Sequence, residues 1–347
     1  MKIALVNNVP PIWGLGKYAF KLHNSLKKLC DIDNIYMDFT KRILKVNEKD
    51  TDIGRIPLLD NKVFFIYRAA KHFPDYDIYH ITNQNLSFIV NKIKRKKSKV
   101  IVTCHDVYRH KKHKNFLDLR LSKFLYSGLK RADAIIASTT ATKKDLIRYL
   151  GLDEKKIFTV NLASDRINRI NKSIARKKLG LPLDAKIVMH IGELDAEIKN
   201  TYRTAKAVEK LSGKLKILLV RVGKGKYESK NVINLYKISD KEMELLYNAS
   251  DVLASALTYD LPNLPIIEAM KCGLPIVASK TSSTVEVVGN AAYYVDALSV
   301  KEISKGIEKV ITNKKLRETL IKRGLKIGKK FTWDNAAKQV LEIYRKV

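Results

Sequence analysis

Two carboxylates eight positions apart, Asp260 and Glu268, frame the segment of this chain best suited to chemistry. Between them lies Leu261-Pro262-Asn263-Leu264-Pro265, and beyond them an apolar run reaches Ala278. Pro265 suits the first turn of a helix, where a missing N–H costs nothing. Gly273 stops that helix and Pro275 bars its return. A helix start beside a tight loop offers N–H donors and a positive dipole end to an anion. One turn further in, Glu268 can accept from two neighbouring hydroxyls, as on a ribose. That describes a site for a sugar nucleotide. An ordinary strand-to-helix loop with a surface Asp and a capping Glu has the same spacing.

Three more groups stand at the ends of apolar runs. Gly14-Leu15-Gly16-Lys17 follows Ile3–Val6 and opens a helix, so backbone N–H groups there can approach a phosphate. It is not a Walker A loop, because the Gly-x4-Gly-Lys-Ser/Thr pattern is absent. His105 and Asp106 close the run from Val100. A histidine at a sheet's C-terminal edge can bond a substrate hydroxyl and titrates near neutrality; a structural histidine satisfied by backbone is the other reading. Gly192, Glu193 and Lys199 follow Ile187–Ile191, and the loop Gly223-Lys224-Gly225-Lys226 follows the next run. His190, inside its strand, reads as structural. His110 and His113 stand among lysines whose charge opposes a cation, so no metal site is expected.

Apolar runs alternate with amphipathic segments, the pattern of parallel sheets with helices on both faces. In the first half the strands are Ile3–Val6, Ile78–Ile81, Val100–Thr103 and Ala134–Ala137, with helices over Lys17–Leu29 and Phe88–Lys94. A polar stretch from Asn161 to Ser173 reads as a linker, and a second unit begins near Ile174. Its strands are Ile187–Ile191, Leu215–Val220, Val252–Ser255 and Ile276–Ala278. Its helices are Asn200–Leu211, Met243–Asn248 and the one holding Glu268. Two doubly wound domains facing across a cleft would turn their strand ends, where such sheets bind ligands, toward each other.

At 347 residues with 46% hydrophobic content, two cores can be built. No run of 18 apolar residues exists. The opening MKIALVNN turns polar too soon for a secretory signal and reads as a strand. Three scattered cysteines, Cys30, Cys104 and Cys272, exclude a disulfide framework and suit a reducing cytosol. The net charge is +32. Residues 1–165 hold 32 Lys and Arg against 16 Asp and Glu, and residues 166–347 hold 35 against 19, so neither half is the basic one. Local clusters remain at Lys92–Lys99, Arg109–Lys114 and Lys314–Lys330. They fit either solvated helix faces or surfaces that attract anionic lipid or nucleic acid. Behind the second cluster, Phe116, Leu117, Leu119, Leu121, Phe124 and Leu125 interleave with Arg120 and Lys123. That suits an amphipathic helix whose apolar face meets either the core or a membrane interface.

The segment Asp260–Ala278 resembles the Glu-x7-Glu signature of retaining glycosyltransferases with the GT-B fold, in particular the mannosyltransferase-like group of glycosyltransferase family 4. It keeps Leu264, Pro265, Glu268, Ala269, Met270, Gly273, Pro275, Val277 and Ala278. It departs at Asp260, where the family has Glu, and at Leu261-Pro262-Asn263, where it has Gly-Phe-Gly. The Gly14–Tyr18 loop resembles the family's Gly-Ile-Gly-Arg-Tyr, and His105-Asp106 its Thr-x-His-Asp. Gly192 and Lys199 match its Gly-Arg-x5-Lys loop, with Glu193 in the Arg position. Further matches at Arg131–Gly151, Val285–Asp296 and Phe331–Val347 extend the resemblance over nearly the whole chain.

The resemblance implies a GT-B fold of two Rossmann-like domains. An acceptor-binding domain would span 1–165 and a nucleotide-sugar-binding domain 174–330, with a last helix, 331–347, packing back on the first. It implies transfer of a hexose, with retention, from a nucleotide-diphosphate sugar to a saccharide or lipid-linked acceptor. His105, Lys199 and Asp260 would act at the reacting centre. Gly14, Gly16, Gly192, Glu193, Lys199, Lys224, Asn263, Leu264 and Glu268 would line the donor. Lys199 would meet the leaving diphosphate, with Lys224 and Lys226 as stand-ins for the missing Arg. Neither a cofactor nor a required metal is implied. The expected place is the cytosol, peripherally on the inner face of an anionic membrane. The alternative is a weak or inactive transferase fold serving as a basic nucleic-acid- or glycan-binding protein; against it, no nucleic-acid motif appears.

Overall fold

The structure is a computed structural model. It describes residues 1–11, 14–51, 62–93, 97–113, 115–165 and 167–347. The chain divides into two compact units, Met1–Ala163 with Trp333–Val347, and Ser164–Thr332. The sequence boundaries were expected at 165, 174 and 330. No regular element occupies the described residues between Val160 and Asn171.

The first unit is built on an eight-stranded sheet in the order β4-β3-β2-β1-β5-β6-β7-β8. The strands are β1 (Ile3–Asn7), β2 (Ile32–Asp38), β3 (Ile43–Val46), β4 (Lys49–Thr51), β5 (Ile78–Ile81), β6 (Lys99–Cys104), β7 (Ala134–Ala137) and β8 (Ile157–Thr159). β1, β5 and β7 are buried along their whole length, as parallel strands covered on both faces must be. The expectation of a parallel sheet needs one correction: β3 and β4 form an antiparallel edge. Asn47 and Glu48, at φ 49° and 69°, make the tight turn between them. Positive φ at both central residues marks the type I′ turn of a two-residue hairpin. Helix α1 (Gly14–Leu26) leaves the end of β1, three residues earlier than the sequence pattern indicates. A second correction concerns Phe88–Lys94. Gln84–Ile89 is a 3-10 turn, followed by a single α turn over Val90–Ile93, and Lys94 lies outside the described residues. Two further helices matter below, α2 (Lys62–Ala69) and α3 (Phe116–Leu125).

The C-terminal helix, Trp333–Lys346, packs on this same unit through Ala337, Val340, Ile343 and Tyr344. Its polar anchor is His80, which is fully buried on β5. One ring nitrogen bonds the Tyr344 hydroxyl at 2.6 Å and the other the Thr103 hydroxyl at 2.7 Å. Tyr18 on α1 reaches the same threonine at 3.3 Å and lays its ring 5.9 Å from that of Trp333.

The second unit is a six-stranded parallel sheet in the order β11-β10-β9-β12-β13-β14. Its strands are β9 (Lys186–Ile191), β10 (Ile217–Val222), β11 (Val232–Leu235), β12 (Val252–Ser255), β13 (Ile276–Ser279) and β14 (Ala292–Val295). This order is the doubly wound one, and it reverses between β9 and β12. Four helices bear on the site: α4 (Thr201–Ser212), α5 (Asp240–Ala249), α6 (Leu264–Cys272) and α7 (Ser282–Val288). Gly273 ends α6 at φ +77°, with its N–H on the Ala269 and Met270 carbonyls.

Burial lowers the His80 pKa to about 3. The unfolded chain therefore takes up this proton near pH 6.5 while the folded chain refuses it. Stability from His80 is complete above pH 6.5 and falls as pH drops toward 3, by about 1.4 kcal/mol per pH unit. Urea unfolding between pH 7.5 and 4.5 should give a steeper loss for the wild type than for His80→Gln. Parallel slopes would sink the assignment.

Candidate functional site

In the second unit the candidate residues gather on loops that follow neighbouring strands. Residues 192–200 follow β9, 223–231 follow β10, and 256–263 follow β12. These are the carboxyl ends beside the point where strand order reverses, where open α/β sheets hold ligands. The loops are tied to one another across the reversal. Asn200, held at φ 56°, donates its side-chain amide to the Ala256 and Ala297 carbonyls. Thr258 N–H donates to the Ile198 carbonyl and its hydroxyl to that of Glu197.

Gly192 is buried because nothing larger fits. A Cβ there would stand 2.7 Å from the Lys199 Cβ and 2.8 Å from both His190 Nε2 and Thr201 Oγ1. The stem of Lys199 thus lies across Gly192, and Lys199 itself is half-buried. His190 bonds the Ala254 carbonyl and the Thr201 hydroxyl, and burial lowers its pKa to about 4, so it is a neutral strut. Glu193, Lys224 and Lys226 are exposed, and Lys226 pairs with Glu228 at 2.9 Å.

One residue of this site is not legible from motif matching. Arg221 lies within the apolar strand β10 and is fully buried. Its guanidinium donates to the carbonyls of Gly192, Gly223, Lys224 and Gly225 and to Asn234 Oδ1. Its Nε has no partner. Leu194 N–H completes the junction on the Lys224 carbonyl at 3.0 Å. The loops after β9 and β10 are therefore held by one buried cation. A cation placed inside an apolar strand was the available signal.

Asn263 precedes α6 without capping it. Its amide donates instead to Ser255 Oγ at 2.7 Å, and no side chain caps this helix. By contrast Ser239 caps α5 and Thr281 caps α7. Leu264 is the first residue of α6. Glu268, one turn in, is half-buried and accepts from the hydroxyl of buried Tyr247 on α5. The carboxylate and burial raise the tyrosine pKa, burial most. Tyr247 was not anticipated either. Asp260 accepts from Ser282 N–H at 3.1 Å and Ser283 N–H at 2.5 Å, the start of α7, where its charge suits the helix dipole. A surface depression of about 420 Å³ in the same unit, bordered by Arg169, Ile321 and Lys329, contains none of these residues.

In the first unit the candidates stand at the corresponding edge. Gly14 opens α1 with open space where a Cβ would stand, whereas a Cβ on Gly16 would run into the Val9 and Pro10 carbonyls. His105 follows β6 and is buried. One ring nitrogen bonds the Thr82 carbonyl at 3.0 Å and the other the Ser138 hydroxyl at 2.8 Å. Tyr18 meets the ring edge-on at 4.7 Å between centroids. Burial lowers its pKa to about 4, so the ring is neutral at physiological pH. The geometry satisfies both nitrogens from within the unit. Nothing grouped as a metal site occurs among the described residues.

Residues 18–164 match the family described as Glycosyltransferase Family 4, and residues 171–327 the one described as Glycosyl transferases group 1. The chain belongs to glycosyltransferase family 4. This glycosyltransferase is 25% identical to O-antigen chain mannosyltransferase B of Escherichia coli over 96% of each chain. It is 23% identical over 70% of its length to a serotype-specific mannosyltransferase of the same species, covering 33% of that protein. Its fold is GT-B. Sucrose-phosphate synthase from Thermosynechococcus elongatus superposes over 100% of this chain and 98% of its own, with a TM-score of 0.80 at 18% identity. Anabaena HepE in complex with UDP-glucose covers 100% of both, with a TM-score of 0.76 at 17% identity.

The Arg221 junction can be tested apart from turnover in this glycosyltransferase. Arg221→Met leaves four loop carbonyls without their donor and should lower the unfolding free energy by about 3 kcal/mol. Hydrogen exchange should quicken in residues 192–200 and 223–226. A methionine variant as stable and as protected as the wild type would remove Arg221 from this role.

Proposed function

We propose that the enzyme transfers a hexose from a nucleotide-diphosphate sugar to a saccharide or lipid-linked acceptor with retention of configuration. The observation that carries the reading is the convergence of the 192–200, 223–231 and 256–263 loops beside the uncapped start of α6, with Glu268 one turn below. At such a start the Leu264 N–H would face a diphosphate, since Pro265 has none and the Ile266 N–H is on the Asn263 carbonyl. Glu268, steadied by Tyr247, would accept from the ribose hydroxyls. Lys199, with Lys224, would meet the charge that grows on the leaving diphosphate. Gly192, Glu193, Asn263 and Leu264 would line the donor with backbone. Gly14 and Gly16 would leave the start of α1 open to a phosphate.

In this reading the bond from the anomeric carbon to the diphosphate breaks and a bond to the acceptor oxygen forms on the same face. The acceptor proton passes to a diphosphate oxygen. Protein cations, rather than a resident cofactor or metal, balance the departing charge. Asp260 would hold its loop against α7 beside the sugar. His105, neutral and bonded through both nitrogens, would shape the sugar's surroundings and give up the Thr82 bond only to take a substrate hydroxyl. The mannosyltransferases among the relatives support a mannose donor, and the UDP-glucose complex of HepE supports a sugar nucleotide in this fold. The reading includes a peripheral position at the inner face of a membrane, where a lipid-linked acceptor lies.

Calorimetric titration with a panel of nucleoside diphosphates and their sugars tests this. One member of the panel should bind, and Glu268→Gln should weaken it by about 1–3 kcal/mol. An unchanged affinity refutes the ribose assignment. Lys199→Ala should bind the donor but turn over about a hundredfold more slowly. Normal turnover would transfer that role to Lys224.

A further inference from the structure

Helix α3 turns most of its large apolar residues outward. Asn115 caps it, and on its inner side Ser122 is buried and bonds His110, Asp118 accepts from Arg109 at 3.0 Å, and Leu119 is half-buried. Phe116 is 64% exposed, Leu117 72%, Leu121 39% and Phe124 46%, and only Leu125 is buried with Ser122. At 3.6 residues per turn those four side chains share an arc of about 140°. Arg120 and Lys123 are exposed on or beside that arc, and the Arg120 guanidinium lies 4.6 Å from the centre of the Phe116 ring. No acidic residue of the helix falls on it.

Phe124 rests on buried Phe88, at 5.1 Å between rings. The chain then runs through Lys92, whose ammonium lies 5.0 Å over the ring of Tyr67 on α2. Tyr67 and its neighbour Phe64 are 38% and 49% exposed. The basic cluster singled out in the sequence contributes less. Arg109 pairs with Asp118 and Lys111 with Asp145, while Lys114 and Lys94–Lys96 lie outside the described residues.

We propose that α3 is the membrane-docking element of this enzyme, and that its occupant is a bilayer containing anionic lipid. Apolar side chains with interleaved cations suit the headgroup boundary, because Arg and Lys stems can lie along apolar surface while their charges reach the headgroups. Charge selects the bilayer over a second copy of this chain. Each copy carries +32 and repels its like, whereas an anionic surface attracts it. The inference rests on the functional reading only for the acceptor, and docking is measured without turnover.

Co-sedimentation with phosphatidylcholine vesicles, with and without about 30% phosphatidylglycerol, tests it. The wild type should bind the anionic vesicles, and Phe116→Ser with Leu117→Ser should weaken binding roughly tenfold or more. Both residues are exposed, so the melting temperature should stay within a degree or so of the wild type. Lys322→Glu with Lys326→Glu, in the other unit, should change binding less, which separates α3 from general basicity. Leu117→Trp should gain a blue-shifted emission on anionic vesicles. Absence of that shift, equal binding by the serine pair, or no binding by the wild type would overturn the proposal. So would a concentration-dependent dimer abolished by the serine pair, which would make the face a self-interface.

Discussion

The candidate donor site depends on a buried positive charge that has no carboxylate in direct contact. Arg221 stands in a strand whose neighbours are apolar and spends its donors on backbone carbonyls from two loops. Carbonyl oxygens from the two loops, gathered around one point, would repel one another if drawn together dry. A guanidinium is planar, rigid and always charged, so it can bind several of them at once. Close contact of the loops then becomes affordable, and it forces the glycines. At Gly223, with φ +156°, a Cβ would sit 2.3 Å from the Gly192 carbonyl oxygen. The cost of burying the charge is met by hydrogen bonds, not by an ion pair, which leaves its field directed at the loops.

A second chain of polar contacts organises the first unit. Tyr344, His80, Thr103 and Tyr18 are linked in series from the C-terminal helix to α1, and the Tyr18 ring ends against His105. Each member is buried, so an unmade bond anywhere along the chain costs more than it would at the surface. Helix Trp333–Lys346 is thereby connected to the ring of His105, for which a place beside the sugar is proposed. Burial also keeps both histidines uncharged. A histidine held in this way orients its surroundings without becoming a cation at neutral pH.

How much of this was written in the sequence differs by element. Runs that are buried throughout, such as Ile78–Ile81, Ala134–Ala137 and Val252–Ser255, coincide with strands to the residue, since burial on both faces admits a polar group only where it is bonded, as His80 and Ser255 are. The mixed stretch Ile32–Asp38 hid β2, because that strand, between β1 and β3, mixes buried with half-exposed positions. β11 escaped because it is an edge strand in which only Val232 is buried. The α6 helix was legible from Pro265 and Gly273. What no spacing could reveal is which polar groups already have partners. Asp260 and His105 look available in the sequence, yet each is bonded twice within its own unit.

The same difference between type and placement explains α3. Read as letters, Phe116–Leu125 is an ordinary amphipathic stretch, and the core is the usual destination of its apolar residues. The decision is made by its neighbours. Arg109, whose side chain is still 41% exposed, and half-buried His110 bond Asp118 and Ser122 on the inner side of the helix. Leu125 is buried there beside Ser122, while Phe116, Leu117, Leu121 and Phe124 are left to the solvent. A surface of that kind is expensive to keep in water unless something apolar covers it. The overall charge of the chain narrows what that can be, because approach to any cationic or uncharged partner gains nothing from the field, while approach to a sheet of anionic headgroups does. Two polar contacts, buried Leu125 and the Phe124–Phe88 contact hold this ten-residue helix, and the side they leave out carries aromatic and aliphatic residues with two cations.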